Sequence, residues 1–314
     1  MKLKTETHQD KVKPMQHPFS PSPGRRFREA VAEESPLQLP GVPNAYCALL
    51  AERAGFKALY VSGAGVANVS FGLPDLGLTT LNDVCEDVRR IRQATDLPLL
   101  VDADTGWGGA LMIGRTIREL TRAGAAGCHL EDQVQAKRCG HRPGKQIVSG
   151  DEMCDRIRAG ADARIDDQFV IMARTDAFAG EGLAASIERS LAYVAAGADM
   201  IFAEALKELD DYRAFTRALG TTPVLANITE FGKTPLFTAT ELADAGVRIA
   251  LYPLSAFRAM SKAAELVYGE VRSRGTQREV VGAMHTRDAL YEILGYHALE
   301  QKLDEMFSKS NDHE

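Results

Sequence analysis

The sequence predicts a (β/α)8 barrel, and the main observation is a repeated unit. Three times an Ala-Gly pair ends a helical pattern, an apolar run follows, and a polar residue stands seven positions after the glycine. These units are Gly55 to Ser62, Gly124 to Glu131 and Gly197 to Glu204; a fourth pair, 245–246, leads to the apolar run 249–251. Such a unit is typical of a helix with a glycine C-cap, a short turn and a buried strand.

The predicted strands are apolar runs, most of them ending in polar residues. In chain order they are 37–42, 58–61, 98–101, 127–131, 169–172, 200–202, 223–226 and 249–251. Runs that are apolar throughout, rather than alternating with polar residues, favour parallel strands covered on both faces. The first strand is the least regular, because Pro36, Pro40 and Pro43 lie in or beside it.

Helical patterns separate these strands and complete the alternation. They lie near 45–54, 81–94, 110–123, 151–164, 184–196, 207–219, 239–245 and 255–272. Eight such pairs over about 240 residues match the usual size of a (β/α)8 barrel. The alternative is an open doubly wound sheet. It is disfavoured because no G-x-G-x-x-G or phosphate-binding loop follows any predicted strand.

Composition and charge exclude several classes of protein. The chain has 314 residues, 45% of them hydrophobic, and a net charge of -6. This mild acidity argues against a nucleic-acid or anionic-membrane partner. No segment approaches the roughly 20 apolar residues of a membrane span. Five cysteines without a CxxC pair indicate reduced thiols and a cytoplasmic protein.

The N-terminal stretch is polar and rich in proline. It has no apolar core typical of a secretory signal. Because of its polar, proline-rich composition, we expect a disordered tail over residues 1–24 and a single barrel domain over 25–314. Met15 is an alternative start of the natural chain.

Polar side chains follow most of the predicted strands. In a barrel of this type the active site lies at the carboxyl ends of the strands. Those ends have Ser62, Asp102, Asp104, Glu131, Arg174, Glu204, Asn227 and Thr229. Any one of them alone is better explained as a helix cap or a solvated charge. Together they indicate a site, because ionised side chains avoid burial unless paired or bound to metal.

The sequence Asp102-Ala103-Asp104 is the best candidate for a metal site. On an extended chain, residues two apart point to the same side, so both carboxylates can face the strand ends. Two carboxylates with open water positions suit Mg2+, or Mn2+. Glu131, and also Glu204, could complete the ligand shell.

Residues 137–145 are Lys-Arg-Cys-Gly-His-Arg-Pro-Gly-Lys. The positive field of Lys137, Arg138 and His141 would lower the pKa of Cys139 toward neutrality and allow it to exchange protons. The alternative is a charged surface loop with an incidental cysteine, and the charge pattern alone does not decide between them.

This segment resembles the signature loop of the isocitrate lyase superfamily, which includes phosphoenolpyruvate mutases, in its methylisocitrate lyase form. The resemblance extends in order over roughly residues 25 to 307. Other segments that resemble this family are 60–65, 73–75, 101–104, 129–133, 173–177, 225–232 and 252–258. Ala64 and Ala203 depart from the family pattern, which often has glycine and proline there.

The resemblance implies a (β/α)8 barrel whose last helix is swapped between subunits of a homotetramer, a dimer of dimers. It also implies an Mg2+-dependent carbon–carbon lyase that cleaves a small tricarboxylate, 2-methylisocitrate, to pyruvate and succinate. This is the last step of the methylcitrate cycle of propionate catabolism.

Site residues follow from the same resemblance, position by position. Asp102 and Asp104 would bind Mg2+, and Cys139 would donate the proton that completes succinate. The other catalytic candidates are Tyr60, Asp75, Glu131, Lys137 and His141. Substrate contacts would come from Ser62, Gly63, Ala64, Gly140, Arg174, Glu204, Asn227, Ile228, Thr229, Arg258 and Arg287. The base that deprotonates the substrate stays open between Tyr60 with Asp75 and a metal-bound water.

Phe202 and Leu251 are the candidates for substrate specificity. Isocitrate lyases are longer and have bulkier residues at these two positions, so the smaller pair would leave room for the extra methyl group. The alternative is that both are ordinary barrel residues. A mutase is disfavoured by Cys139, and a Schiff-base aldolase by the absence of a lysine inside any predicted strand. A non-catalytic barrel would not need Asp102, Asp104, Cys139 and Arg174 together.

Overall fold

The computed structural model describes residues 21–138 and 144–311, with side chains described as far as residue 307. Within these residues eight strands form one parallel sheet in the order β1-β8-β7-β6-β5-β4-β3-β2. The strands are β1 Leu37–Pro40, β2 Leu59–Val61, β3 Leu99–Asp102, β4 Gly127–Glu131, β5 Val170–Thr175, β6 Met200–Ala203, β7 Val224–Asn227 and β8 Ile249–Tyr252.

The sheet closes into a barrel between its first and second strands. Gly41, directly after β1, forms a parallel bridge with Tyr60 of β2. The backbone N–H of Val42 donates to the Tyr60 carbonyl at 2.9 Å. The (β/α)8 fold predicted from the sequence is therefore confirmed.

Most of the helices follow strands around the outside of the barrel. They are α1 Pro23–Glu33, α2 Ala45–Arg53, α3 Gly63–Gly65, α4 Leu81–Ala94, α5 Ala110–Ala123, α6 Gly150–Asp162, α7 Phe178–Ala195, α8 Leu209–Leu219, α9 Ala239–Asp244, α10 Ser255–Arg274, α11 Arg287–Leu294 and α12 Tyr296–Asn311. A π-helical turn, Val66–Ser70, continues α3, and a 3-10 helix, Arg278–Ala283, precedes α11. None of the helices in the described ranges is long and apolar enough to cross a membrane.

The sequence patterns did not predict α1, whose buried face packs against the inner core of the barrel. Ser22 caps its first turn and Pro23 stands at its start, so the helix includes the last two residues of the predicted tail. Phe27 is fully buried and joins the core formed by inward-facing strand residues such as Leu37 and Leu39. Gly24 allows this approach, because a Cβ there would lie 2.4 Å from the Gln168 carbonyl oxygen. Residues 1–20 of the predicted tail lie outside the described residues.

One strand and one helix have boundaries that differ from the predicted ones, and both differences affect the site. Strand β5 extends to Thr175, so Arg174 is part of the strand rather than of the loop after it. Helix α7 begins at Phe178 instead of near 184, with a break at Gly182, whose φ is +83°.

The C-terminal helices pack little against the barrel. Helices α10 and α11 have no buried residue. Large apolar side chains along this segment are exposed, among them Leu266, Tyr268, Leu299, Met306 and Phe307. A single chain thus leaves an extensive apolar surface uncovered.

Candidate active site

A cavity of about 300 Å³ opens at the carboxyl ends of the strands. This is the position at which (β/α)8 enzymes have their active sites, and the volume suits a small molecule. Its lining residues are Tyr60, Ser62, Ala64, Asp75, Asp102, Glu131, Lys137, Arg138, Arg174, Phe202, Glu204, Asn227, Thr229, Glu230, Phe231, Gly232, Leu251, Pro253, Leu254 and Arg258.

Asp102 and Asp104 converge beside the start of α3. Asp102 ends β3 and accepts a hydrogen bond from the Gly63 backbone N–H at 3.1 Å. A Cβ on Gly63 would lie 3.1 Å from Asp102 Oδ2 and 3.3 Å from Asp104 Oδ1. Both carboxylates therefore border the same small space. Asp104 adopts a φ of +47°, which is uncommon for a residue other than glycine and typical of functional sites.

The two carboxyl groups differ in their affinity for protons. Burial and the neighbouring Asp102 raise the pKa of Asp104 to about 6. Burial alone would raise the pKa of Asp102 as well, but His129 and Lys137 lower it to about 2. Near neutral pH both carboxyl groups are predominantly ionised, although Asp104 holds its proton more tightly than Asp102.

Lys137 joins two carboxylates at one side of the cavity. Its ammonium group contacts Asp75 and lies 2.6 Å from Asp104 Oδ1, with 5% of the side chain exposed. Burial by itself would lower the pKa of Lys137, but Asp104 and Asp102 raise it overall, so the lysine stays charged. The backbone of Arg138 is held by the Gln133 side chain, through two hydrogen bonds of 2.9 Å.

Arg174 is surrounded by three carboxylates. Its Nε donates to Asp176 at 3.0 Å, its Nη1 lies 3.2 Å from Glu131, and its Nη2 lies 3.3 Å from Glu204. Burial would lower the pKa of Arg174, yet Asp176 and Glu131 raise it well above the usual value. Burial raises the pKa of Glu131 well above its ordinary value too, despite Arg174. The Asn227 side-chain amide donates to Glu204 at 3.4 Å.

The bottom of the cavity contains an aromatic group around His129. The Tyr60 hydroxyl lies 2.8 Å from His129 Nε2 and 3.4 Å from Asp102 Oδ2. The Tyr60 and His129 rings stack, and Phe202 packs edge-on against His129 at 5.2 Å between centroids. Tyr60 thus has His129 and Asp102 as hydrogen-bond partners, while Asp75 bonds to Lys137.

Glu230 and Arg258 also line the cavity. Arg258 Nε lies 3.6 Å from Glu230, which also accepts a hydrogen bond from the Ser255 hydroxyl. The guanidinium of Arg258 lies 5.5 Å from the ring centre of Phe231. Arg258 is half-exposed and therefore reachable by a ligand.

The donor set fits a hard divalent cation. Within the described residues the cavity lining has five carboxylates and four cationic side chains, and Asp104 adds a further carboxylate. Glu131 Oε1 is buried with no hydrogen-bond partner among these residues. No three His, Cys, Asp or Glu side chains of the described chain form a ready metal cluster. Mg2+ commonly uses only one or two protein carboxylates, together with waters and substrate oxygens.

Most of the residues predicted from the sequence meet at this cavity. Gly63 takes part through its backbone N–H, which donates to Asp102. Ile228, in contrast, is buried in the core between strands and helices, and Arg287 is exposed at the start of α11, away from the cavity lining. Neither contacts the cavity within one chain. Cys139, Gly140 and His141 lie outside the described residues.

The sequence reasoning missed His129, Asp176, Lys145 and Glu230 as site residues. His129 and Glu131 are two positions apart on β4, so the alternation that selected Asp102 and Asp104 could also have selected His129. Asp176 lies two residues beyond Arg174 and offers the same signal.

Comparison with known proteins agrees with this architecture. A family model described as phosphoenolpyruvate phosphomutase matches residues 27–272. The 2-methylisocitrate lyase of Shewanella oneidensis is 61% identical over 288 residues, covering 92% of this chain and 98% of that protein. The chain belongs to the phosphoenolpyruvate mutase/isocitrate lyase superfamily.

Further relatives in this superfamily indicate the class of reaction to which the enzyme belongs. The 2-methylisocitrate lyase of Escherichia coli is 59% identical over 290 residues, covering 92% of this chain and 98% of that protein. A crystal structure of 2,3-dimethylmalate lyase superposes with a TM-score of 0.84 at 34% identity, covering 92% of this chain and 96% of the other. The chain is thus an enzyme of the carbon–carbon lyase class within the superfamily.

Proposed function

We propose that this enzyme cleaves 2-methylisocitrate to pyruvate and succinate. The observation that supports this best is the convergence of the Asp102–Asp104 pair and the buried Arg174 guanidinium in one small cavity. The name shared by the relatives from Shewanella oneidensis and Escherichia coli supports the substrate. The reaction would be the last step of the methylcitrate cycle of propionate catabolism. We place it in the cytoplasm, since the described cysteines are free thiols.

Substrate binding is assigned to two arginines of the cavity lining. Arg174 presents a planar donor fork between the strand ends, and Arg258 presents a second one from the start of α10. A guanidinium matches a carboxylate in a bidentate manner, so the two arginines suit a substrate with several carboxylates. Ser62, Asn227 and Thr229 add neutral hydrogen-bonding groups to the lining.

Asp102 and Asp104 would hold Mg2+, with Mn2+ as an alternative, and Glu131 of the same cavity lining could assist. When bound, the cation would polarise the substrate hydroxyl and carboxylate and lower the pKa of the hydroxyl. The excess of carboxylates over cationic side chains supports this, because a trianionic substrate alone would be repelled.

The proton of the C2 hydroxyl would pass toward Tyr60. The pKa of Tyr60 is raised well above its usual value by burial and by Asp102, so the phenol keeps its proton in the resting enzyme. It can accept the substrate proton as it gives its own to a hydrogen-bond partner, of which His129 Nε2 at 2.8 Å is nearer than Asp102 Oδ2 at 3.4 Å. Tyr60 and His129 would therefore act together as a proton relay.

Loss of that proton allows the C2–C3 bond to break. The electrons of the O–H bond form the carbonyl of pyruvate, and those of the C2–C3 bond pass to C3 and its carboxylate. Arg174 is placed to offset the charge that develops there. A proton then returns to C3 and completes succinate, and we assign its delivery to Cys139.

Phe202 and Leu251 are assigned to recognition of the C2 methyl group. Phe202 contacts both His129 and the Arg174 guanidinium, so it lies beside the reacting groups. Removing or adding one methyl contact discriminates between substrates by about 1–3 kcal/mol.

We also propose that the active enzyme is a homotetramer in which the C-terminal helices pack on a neighbouring subunit. The exposed apolar residues of α10 to α12 support this, since so large an uncovered surface usually marks an interface. Light scattering should give four times the chain mass of 34.1 kDa. A monomer would contradict the proposal.

The proposed activity is tested by comparing two substrates. The protein is incubated with 2-methylisocitrate or isocitrate, with and without EDTA, and pyruvate, glyoxylate and succinate are quantified. We expect pyruvate from the methylated substrate, its loss in EDTA and its recovery with Mg2+. The absence of pyruvate would refute the proposal, and faster glyoxylate release from isocitrate would indicate an isocitrate lyase.

A matched pair of variants links the activity to this cavity. Arg174→Lys should lose at least about 100-fold in kcat/KM, because a lysine cannot replace the guanidinium fork. Arg164→Lys makes the same change in another partly buried arginine, which pairs with Asp199 near the amino ends of the strands. It should keep its activity.

A further inference from the structure

Arg174 depends on a second lysine that the reaction scheme does not use. The Lys145 side chain is buried, with 5% of it exposed, and its Nζ lies 2.5 Å from Asp176 Oδ1. The Asp176 side chain is fully buried. The same carboxylate binds Arg174 through Nε at 3.0 Å and Nη2 at 3.2 Å. One buried carboxylate thus lies between two cations, only one of which lines the substrate cavity.

Asp176 is held rigidly in this position. Its backbone N–H donates to Asp132 Oδ1 at 2.8 Å, and the Thr175 hydroxyl donates to Asp132 Oδ2 at 2.8 Å. The Tyr193 hydroxyl also donates to Asp132 Oδ2, at 2.9 Å. With its own backbone fixed, Asp176 determines the plane of the Arg174 guanidinium through two hydrogen bonds.

Lys145 is delivered to Asp176 by a short antiparallel pairing of the chain. Ile147 forms a bridge with Gln133, and the Val134 N–H donates to the Gln146 carbonyl at 3.0 Å. The Asp132 N–H in turn donates to the Arg174 carbonyl at 3.1 Å. The segment that bears Lys145 is therefore tied to β5, the strand that bears Arg174.

Charge explains why Arg174 would need this partner. The guanidinium faces Glu131, Asp176 and Glu204, so its own positive charge is offset by nearby carboxylates before any anionic substrate arrives. Lys145, which does not line the cavity, neutralises Asp176. The remaining charge of Arg174 is then available to a substrate carboxylate.

We propose that Lys145 is a positioning residue, which acts through Asp176 to orient Arg174 and to preserve its affinity for a substrate carboxylate. The identity of that substrate rests on the proposed function. Lys145 itself does not line the cavity and would not contact the reacting atoms.

The test uses Lys145→Met, which keeps the length of the side chain and removes its charge, and Lys145→Arg, which keeps the charge. Lys145→Met should raise KM for 2-methylisocitrate roughly tenfold or more, with a smaller change in kcat, and should weaken succinate binding by a similar factor. Lys145→Arg should recover most of both. Lys57→Met, the same change at an exposed position before β2, should behave as wild type.

Coupling to Arg174 separates positioning from a purely structural role. In an Arg174→Lys background, Lys145→Met should cause little further loss of succinate affinity, because both changes act on the same guanidinium. Additive losses, an unchanged KM in Lys145→Met, or a loss that arginine does not rescue would overturn the inference. Thermal unfolding of each variant identifies losses caused by misfolding.

Succinate binding, measured by calorimetry, keeps this test separate from the proposed activity. If the wild-type enzyme released no pyruvate from 2-methylisocitrate, the proposed function would fail. The dependence of succinate affinity on Lys145 would still decide the positioning role.

Discussion

Mild acid should destabilise the fold through His129. The ring is fully buried between Tyr60 and Phe202, and burial is the main cause that lowers its pKa from 6.5 to about 4. Arg174 and Lys137 act in the same direction, while Asp102 and Glu204 oppose it. The folded protein therefore keeps this imidazole neutral well below the pH at which the unfolded chain takes up a proton.

The sign and size of the effect follow from the two pKa values. Because the folded-state pKa is depressed, stability is lost as the pH falls from about 6.5 toward 4. The full difference is worth about 3 kcal/mol, and about 2 kcal/mol of it should be lost between roughly pH 7 and pH 5. Urea unfolding at these two pH values, in EDTA and at fixed protein concentration, measures this loss.

Comparison with variants isolates His129 from the other titrating groups. In His129→Asn the pH-dependent loss should be smaller than in wild type by about 2 kcal/mol. His297→Asn, which alters an exposed histidine of α12, should show the wild-type loss. If wild type and His129→Asn lost the same stability between roughly pH 7 and pH 5, the assignment of a neutral buried imidazole would be refuted.

Three further predictions concern the chemistry of the site. Cys139→Ser should fold normally, as judged by circular dichroism, yet lose at least about 100-fold in kcat, and a fully active variant would remove the proton-donor role. Asp104→Asn should weaken Mn2+ binding at least about tenfold in a calorimetric titration, whereas unchanged affinity would exclude Asp104 as a ligand. Leu251→Phe combined with Phe202→Trp should shift the ratio of kcat/KM values toward isocitrate by roughly 10- to 100-fold, and an unchanged ratio would assign both residues to packing alone.

The strands and most of the cavity could be predicted because both depend on local patterns. Apolar runs fixed the strands to within a few residues, and the rule that barrel active sites lie at the carboxyl ends of strands selected Asp102, Glu131 and Arg174. Helix α1 was missed because its buried positions, such as Phe27, form only a short pattern. These residues pack against the inward-facing residues of the barrel strands.

Contacts between loops could not be predicted. Lys137 pairs with Asp75, which is 62 positions away in the sequence, and Lys145 pairs with Asp176, 31 positions away. No periodicity links such residues, since their proximity depends on how the loops fold over the strand ends. The family resemblance placed Arg287 among the substrate contacts, yet within one chain it stays exposed on α11.

The most direct test of the proposed reaction is to run it in D2O and analyse both products by mass spectrometry. Cleavage between C2 and C3 followed by protonation at C3 predicts succinate with one carbon-bound deuterium and, at short times, pyruvate with none. Pyruvate that gained deuterium in its methyl group during turnover, or succinate that gained none, would contradict the proposed mechanism.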